Sequence, residues 1–466
     1  MSAVTTQSAG AAGSGSVRDR RRATLDRLTI DARSSGSGRA RREETRELRR
    51  LGRRSRRRDR VDESAPIERT REQLAPPSLV WFGIIGVVAV LIMLGLVMVL
   101  SASAVTESNR GNSPYGVFLR QLLWAGIGLV GLVVAARMPY RWWSKLSIPL
   151  AIVGVGAMLV PFMPHVGATI NGAQAWIRIG SFSIQPSELL KLVMVVVVAD
   201  LFTRRAHAVN HRSRTLAPLA IIAAVGAGLA GAQEDLGSAI VLGSIAFAIA
   251  WIAGVPFASL GAMASVALLA AVGFILSSPA RVNRFTAFLD VDAQKEHLAW
   301  QTYQGYVSIA NGGVTGSGIG GSRTKFGSLP YAHSDFIFAI VADELGLIGA
   351  GAVVAGFLVL VYFGIQTALA APDRFGMLLA GGIATWFGVQ AIINLGGVTG
   401  LLPVTGLTLP FFSAGGSSLG VSMVAIGMLL SVNRRIGSRR VPIDPIRRVT
   451  TRRARSGAVA VRSHGT

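Results

Sequence analysis

The stretch "FLDVDAQKEHLAWQTYQGY" (288–306) gathers Asp290, Asp292, Lys295, Glu296 and His297 in a chain that is otherwise strongly apolar. A carboxylate held beside a hydroxyl can take its proton as that oxygen attacks, which is the work of a general base. Cations do the complementary work of neutralising an anionic group as it leaves. Arg178, Arg281, Arg284, Lys295, Arg323 and Lys325 supply such cations in neighbouring segments. The competing explanation for each is loop solubility, since charge runs are commonly just solvated.

These residues need a scaffold, and composition says which kind. The chain has 466 residues, 51% of them hydrophobic and 15% charged. Its mean hydropathy is +0.49. Runs such as "LVWFGIIGVVAVLIMLGLVMVL" (79–100) are long enough to cross a hydrocarbon layer about 30 Å thick. The expected fold is an all-α polytopic membrane protein with about ten transmembrane helices, roughly 79–103, 118–137, 144–164, 187–203, 215–232, 236–253, 257–277, 336–366, 376–393 and 414–433.

The net charge of +23 does not point to nucleic acid. Residues 1–75 and 434–466 each carry +9, so the tails hold most of the excess. Tails so rich in Arg, Ser and Gly are expected to be disordered at 1–75 and 436–466, on either side of a membrane domain at 76–435. They suit positive-inside anchoring and anionic headgroups, or a cytoplasmic protein partner. There is no cysteine, which excludes disulfides and thiol chemistry. No cleavable signal core precedes the first span, so that span is expected to act as an uncleaved anchor.

With both termini inside, Arg137, Arg141, Lys145, Arg204, Arg205, Arg212, Arg214, Arg374, Arg434 and Arg435 all fall on the inner side. The polar stretch then lies outside, in a loop at 278–335 between spans 7 and 8, and loops of that size are commonly functional.

Charges within spans are costly and usually meaningful. Glu188 and Lys191 lie three apart on one helix face, as a structural buckle or a substrate contact. Asp343 and Glu344 need partners, with Lys191 as the candidate. His333 and Asp335 open span eight; they suit a metal, although a lone His is more often structural. "NGGVTGSGIGGS" (311–322) and "SAGGSS" (413–418), which begins at Ser413, are expected to give sharp turns, with phosphate contact as the alternative. No P-loop, dinucleotide fingerprint or HExxH is present.

Four motifs in order carry a family resemblance. "NGAQAWIRIGSFSIQPSELLK" (171–191), "QEDLGS" (233–238), "LPYAHSDFIFAIVADELGLIG" (329–349) and "GLLPVTGLTLPFFSAGGSS" (400–418) resemble signatures of the SEDS family, the FtsW and RodA cell-wall polymerases. The "TGLTLP" form and the long basic tails look more like the division branch, as in high-GC Gram-positive bacteria. The resemblance implies a peptidoglycan glycosyltransferase that polymerises lipid II at the outer face of the cytoplasmic membrane, at the division septum. It also implies a class B penicillin-binding protein and other divisome proteins as partners. A divalent cation (Mg or Mn) is a possible cofactor, with no organic cofactor.

The resemblance points to an Asp between two prolines in this same loop as the catalytic residue. An ungapped count from Phe288 to Trp300 puts Gln294 in that column, which leaves Asp292, Asp290 or a non-catalytic member. Arg178, Glu188, Lys191, Arg284, Lys325, His333, Asp335 and Ser413 are the candidates for substrate contact. The competing functions are a lipid II flippase and a non-catalytic division scaffold. A transporter would typically show repeat symmetry, and none is visible.

Overall fold

Each expected apolar run forms a helix, because backbone inside hydrocarbon has to bond within its own segment. The computed structural model describes residues 70–73 and 76–442, apart from 165, 171, 172, 181, 210, 298, 327, 328, 330 and 331. The chain divides into two units, 72–440 and a second made of 1–71 with 441–466. Almost all of the second unit lies outside the described residues, and so does most of the two expected tails.

In the larger unit the helices are α1 (Leu79–Asn109), α2 (Gly116–Arg137), α3 (Ser147–Leu159) and α4 (Pro186–Arg204). They continue as α5 (Ala217–Ala232), α6 (Leu236–Ile252), α7 (Phe257–Leu276), α8 (Pro279–Leu289) and α9 (Trp300–Gly312). The last three are α10 (Ile337–Leu369), α11 (Arg374–Val398) and α12 (Gly416–Asn433). Seven of them are long and apolar enough to cross a membrane: α1, α2, α5 with the turn before it, α7, α10, α11 and α12. Helices α3 and α6 are apolar but shorter. Helix α4 carries Glu188, Lys191, Asp200 and Arg204 and is nearly all buried.

The bundle is inside-out relative to a water-soluble one. Leu122, Ile127, Val130 and Val134 of α2 are exposed, as are Val266, Leu268, Leu269 and Val272 of α7. So large an apolar surface marks a membrane-facing wall. The centre is α4, α11 and α12, with α2 packed along α12 and α10 along α11. Helix α7 stands apart, touching chiefly α6 and α8, and buries only Leu260.

A three-stranded sheet interrupts the helical pattern between α3 and α4. Strands β1 (Gly167–Ile170), β2 (Ala173–Ile179) and β3 (Phe182–Ile184) pair antiparallel in that order. It occupies the "NGAQAWIRIG" segment, where period-2 alternation in Ala173–Ile179 suits a strand with one face buried.

Helix α10 is broken. Its 33 residues would span about 50 Å at ~1.5 Å per residue, well beyond a hydrocarbon layer. Gly346 adopts φ 66° and ψ −165°, a conformation essentially reserved for glycine. Every residue from Ile337 to Glu344 is buried, whereas Leu347 and Ile348 just past the break are exposed. The first part is therefore enclosed by protein, and the second part alone is long enough to cross.

The break frees backbone groups on both sides, and the glycine-rich stretch after α9 satisfies them. Ser317 N–H donates to the Asp343 carbonyl (2.9 Å) and Gly318 N–H to the Glu344 carbonyl (3.0 Å). In return, Leu347 N–H donates to the Gly313 carbonyl (2.9 Å) and Ile348 N–H to the Val314 carbonyl (3.3 Å). The Gly346 α-carbon faces the backbone of Val314 and Gly316 too closely for any side chain. "NGGVTGSGIGGS" thus forms the sharp turns that plug the break, with the Ser317 and Gly318 N–H groups spent on α10.

Candidate active site

The polar stretch forms the turn between α8 and α9. Asp290 caps the end of α8, and its Oδ1 accepts from Ala293 N–H (3.1 Å), so its carboxylate shapes the turn. Asp292, two residues on, is exposed and accepts no hydrogen bond among the described residues. Its charge is felt by Tyr306 of α9, whose phenol pKa is raised first by burial and then by Asp292. The Tyr306 hydroxyl rests against Gly400, where φ is +71° and a side chain would collide with the ring. Tyr306 therefore packs α9 against the "GLLPVTGLTLP" segment that follows α11. Gln294 contributes its backbone, accepting from His297 and Ala299 N–H (both 3.0 Å). Lys295 lies over the Tyr303 ring, 5.9 Å from its centroid.

The expected substrate contacts separate into buried and exposed groups. Glu188 and Lys191 are buried and paired at 2.8 Å, and Lys191 also donates to Gln390 Oε1 (3.0 Å). Gln390 in turn donates to the Thr408 carbonyl (2.9 Å), so the pair fastens α4 and α11 to the loop before α12. The partner of Glu344 is Lys325 (2.9 Å), not the expected Lys191, which is already engaged. Asp343 has no cation partner among the described residues. It accepts from Ser322 (2.6 Å), Ser308 (3.3 Å), Thr324 (3.3 Å) and Ser317 (3.4 Å). Ser413 is buried; its Oγ accepts from Leu409 N–H (2.8 Å) and its carbonyl from Gln121 (2.9 Å). Arg178 is exposed on β2, and Arg284 lies on α8, its side chain outside the described set.

His333 and Asp335 stand just before α10. The His333 carbonyl accepts from Ala414 N–H (2.9 Å). Burial lowers the imidazole pKa, while Glu107 acts to raise it and Arg110 and Arg120 to lower it. Glu107, Arg110, Arg120 and Tyr306 are members of this neighbourhood that motif reading missed. A charge at the start of a membrane span, as Arg120 is, was the available signal.

Asp335 adjoins a cavity of ≈ 10 Å³ shared with Asn394 and Thr405, about the room of one water. Burial pushes its carboxyl up to about 6, against a hydrogen bond from Ser334 (2.9 Å) that lowers it. Its folded pKa exceeds its unfolded value, so the folded state binds the extra proton between the two. This contribution to stability is present at low pH and is lost as pH rises through about 6. Asp335→Asn is expected to stabilise the protein at pH 8 by about 2 kcal/mol, with the gain vanishing near pH 4. Thermal unfolding across that range checks it; a gain independent of pH would refute the assignment.

The comparisons with known proteins agree with this layout. The family model for cell cycle proteins of the FtsW/RodA/SpoVE type matches residues 83–437. A probable peptidoglycan glycosyltransferase FtsW of Geobacter metallireducens is 37% identical over 342 residues, covering 73% of this chain and 91% of that protein. The Mycobacterium tuberculosis protein of the same name is 36% identical over 352 residues, covering 75% of this chain and 67% of its own. Among solved structures, a chain of a peptidoglycan synthase complex that coordinates polymerization and crosslinking superposes with TM-score 0.62 at 29% identity. That match covers 76% of this chain and 97% of the other.

Proposed function

The chain belongs to the FtsW/RodA/SpoVE family, and we propose that it is a multi-pass membrane peptidoglycan glycosyltransferase of cell division. The substrate in this reading is lipid II, and polymerisation occurs at the outer face of the cytoplasmic membrane, at the septum. Both termini are cytoplasmic. A class B penicillin-binding protein cross-links the product, a partnership supported by the related synthase complex.

The observation that carries the chemistry is the difference between two neighbouring carboxylates. Asp290 is committed to its turn, while Asp292 is exposed, uncommitted and electrostatically coupled to Tyr306. Asp292 is the general base: it takes the proton of the acceptor sugar hydroxyl as that oxygen attacks the donor's anomeric carbon. The bond from that carbon to the diphosphate breaks, its electron pair stays on the leaving diphosphate oxygen, and exposed cations neutralise that charge. Arg120, Arg178 and Arg323 are exposed and suit this task, whereas Lys325 is consumed by Glu344.

Among the described residues no three of His, Asp and Glu converge to hold a metal ion. A Mg or Mn ion fits here only as a companion of the diphosphate with one carboxylate, Asp292, which is a usual way for Mg to bind. Lipid transport would gain from the broken helix α10, since broken helices build transporter sites. That break is filled by the chain's own Ser317 and Gly318 donors, which favours a structural joint. The test is glycan synthesis by the purified protein with its cross-linking partner, given lipid II and a divalent cation. Polymer is expected; translocation of lipid II without polymer would replace this reading.

A further inference from the structure

Helix α8 turns its apolar stripe away from the protein. Val282, Phe285 and Leu289 fall on one face at i, i+3 and i+7. Phe285 is 41% exposed and Leu289 69%, while Ala287 on the opposite side is buried. A helix docked on a soluble core shows the reverse orientation.

The corner that holds α8 is well built. Pro279 starts the helix with only two residues between it and the end of α7. Arg281 lies over the Phe274 ring at 3.7 Å and donates to the Phe274 carbonyl (2.9 Å) and Ser277 Oγ (2.9 Å). Its Nε also donates to Glu234 Oε2 (3.1 Å) at the start of α6. The turn out of the span is therefore fixed from two helices, and the apolar stripe has a set direction.

We infer that α8 is an interfacial helix, lying on the lipid surface where α7 leaves the membrane, with Phe285 and Leu289 inserted among the acyl chains. Lipid is the occupant because the stripe continues the wall of α7, where Val272 and Leu276 are exposed in turn. Composition agrees: interfacial helices carry basic residues beside an apolar stripe, and α8 has Arg281 and Arg284 in its sequence. The consequence is positional. Asp290 and Asp292 follow Leu289 directly, so the anchor sets the depth of that turn at the membrane surface.

The chain contains no cysteine, so single nitroxide labels can be placed without other changes. Phe285→Cys, Leu289→Cys and Asn283→Cys, each labelled in nanodiscs of phosphatidylethanolamine and phosphatidylglycerol, report depth through oxygen against nickel-chelate accessibility. The oxygen-to-nickel ratio is expected to be several-fold higher at 285 and 289 than at 283. Equal ratios at the three positions would overturn the inference. So would shielding of 285 and 289 from both reagents, which would mean a protein partner or a second copy on that face. The readout needs no activity, so it stands or falls separately from the proposed reaction.

Discussion

Asp292→Asn is expected to lower polymerisation by roughly 10²–10⁴-fold, the usual contribution of a positioned acid or base. Asn keeps the shape and removes the proton acceptor. Asp290→Asn should cost only a few-fold, since its oxygen accepts one backbone hydrogen bond that an amide oxygen can also accept. The comparison matters because the two residues share a turn, a charge and a lipid-proximal address. Both variants should be assayed as the complex with the cross-linking partner, by the length and yield of glycan from lipid II. Loss in Asp290→Asn with full activity in Asp292→Asn would reverse the assignment. Full activity in both would remove this turn from the chemistry.

Much of the scaffold was legible because hydrocarbon imposes a coarse rule. About twenty apolar residues make a spanning helix. The Glu188–Lys191 pair was legible for a local reason: residues three apart on a helix are neighbours. Glu344 and Lys325 lie nineteen residues apart, joined only through the way the chain folds back after α9. No local rule picks that partner. Lys191 looked equally suitable until its own partners were seen. The break at Gly346 was hidden for a similar reason. A single glycine in "ELGLIG" reads as a tolerated helix residue. Only the donors of Ser317 and Gly318, spent on the carbonyls of Asp343 and Glu344, show that the helix stops there.

Counting along the loop puts Gln294 where a family Asp is expected, and leaves Asp292 ahead of Asp290, with a non-catalytic member as the alternative. Their difference lies in what each carboxylate touches. The expected cations fared unevenly because sequence does not separate a Lys that faces water from one that is buried. Lys325 sits beside exposed Arg323 in "SRTKFGS", yet the two have opposite surroundings.

The buried partner of Glu344 supports the second large effect. Lys325→Met should destabilise the protein by about 3–5 kcal/mol, the typical cost of orphaning one member of a buried ion pair. Glu344 would lose its cation while sitting next to Asp343, and both lie at the carbonyl end of the first part of α10, where negative charge is already disfavoured. The double variant Lys325→Met with Glu344→Gln removes both charges and should recover most of the loss. Glu234→Gln is the contrast, because this carboxylate is 47% exposed, such pairs contribute only about 0–1 kcal/mol, and Arg281 keeps its Phe274 and Ser277 contacts. Thermal unfolding in one detergent, with the three variants side by side, reads these differences. Equal small losses in Lys325→Met and Glu234→Gln would show that the pair does not hold the break together. The effect should also reach the chemistry. Ser308 of α9 donates to Asp343, and α9, which follows the Asp292 turn, also carries Tyr306, whose ring rests against Gly400. Lys325→Met should therefore lower polymerisation even at temperatures where the protein stays folded, and the charge-free double variant should restore it.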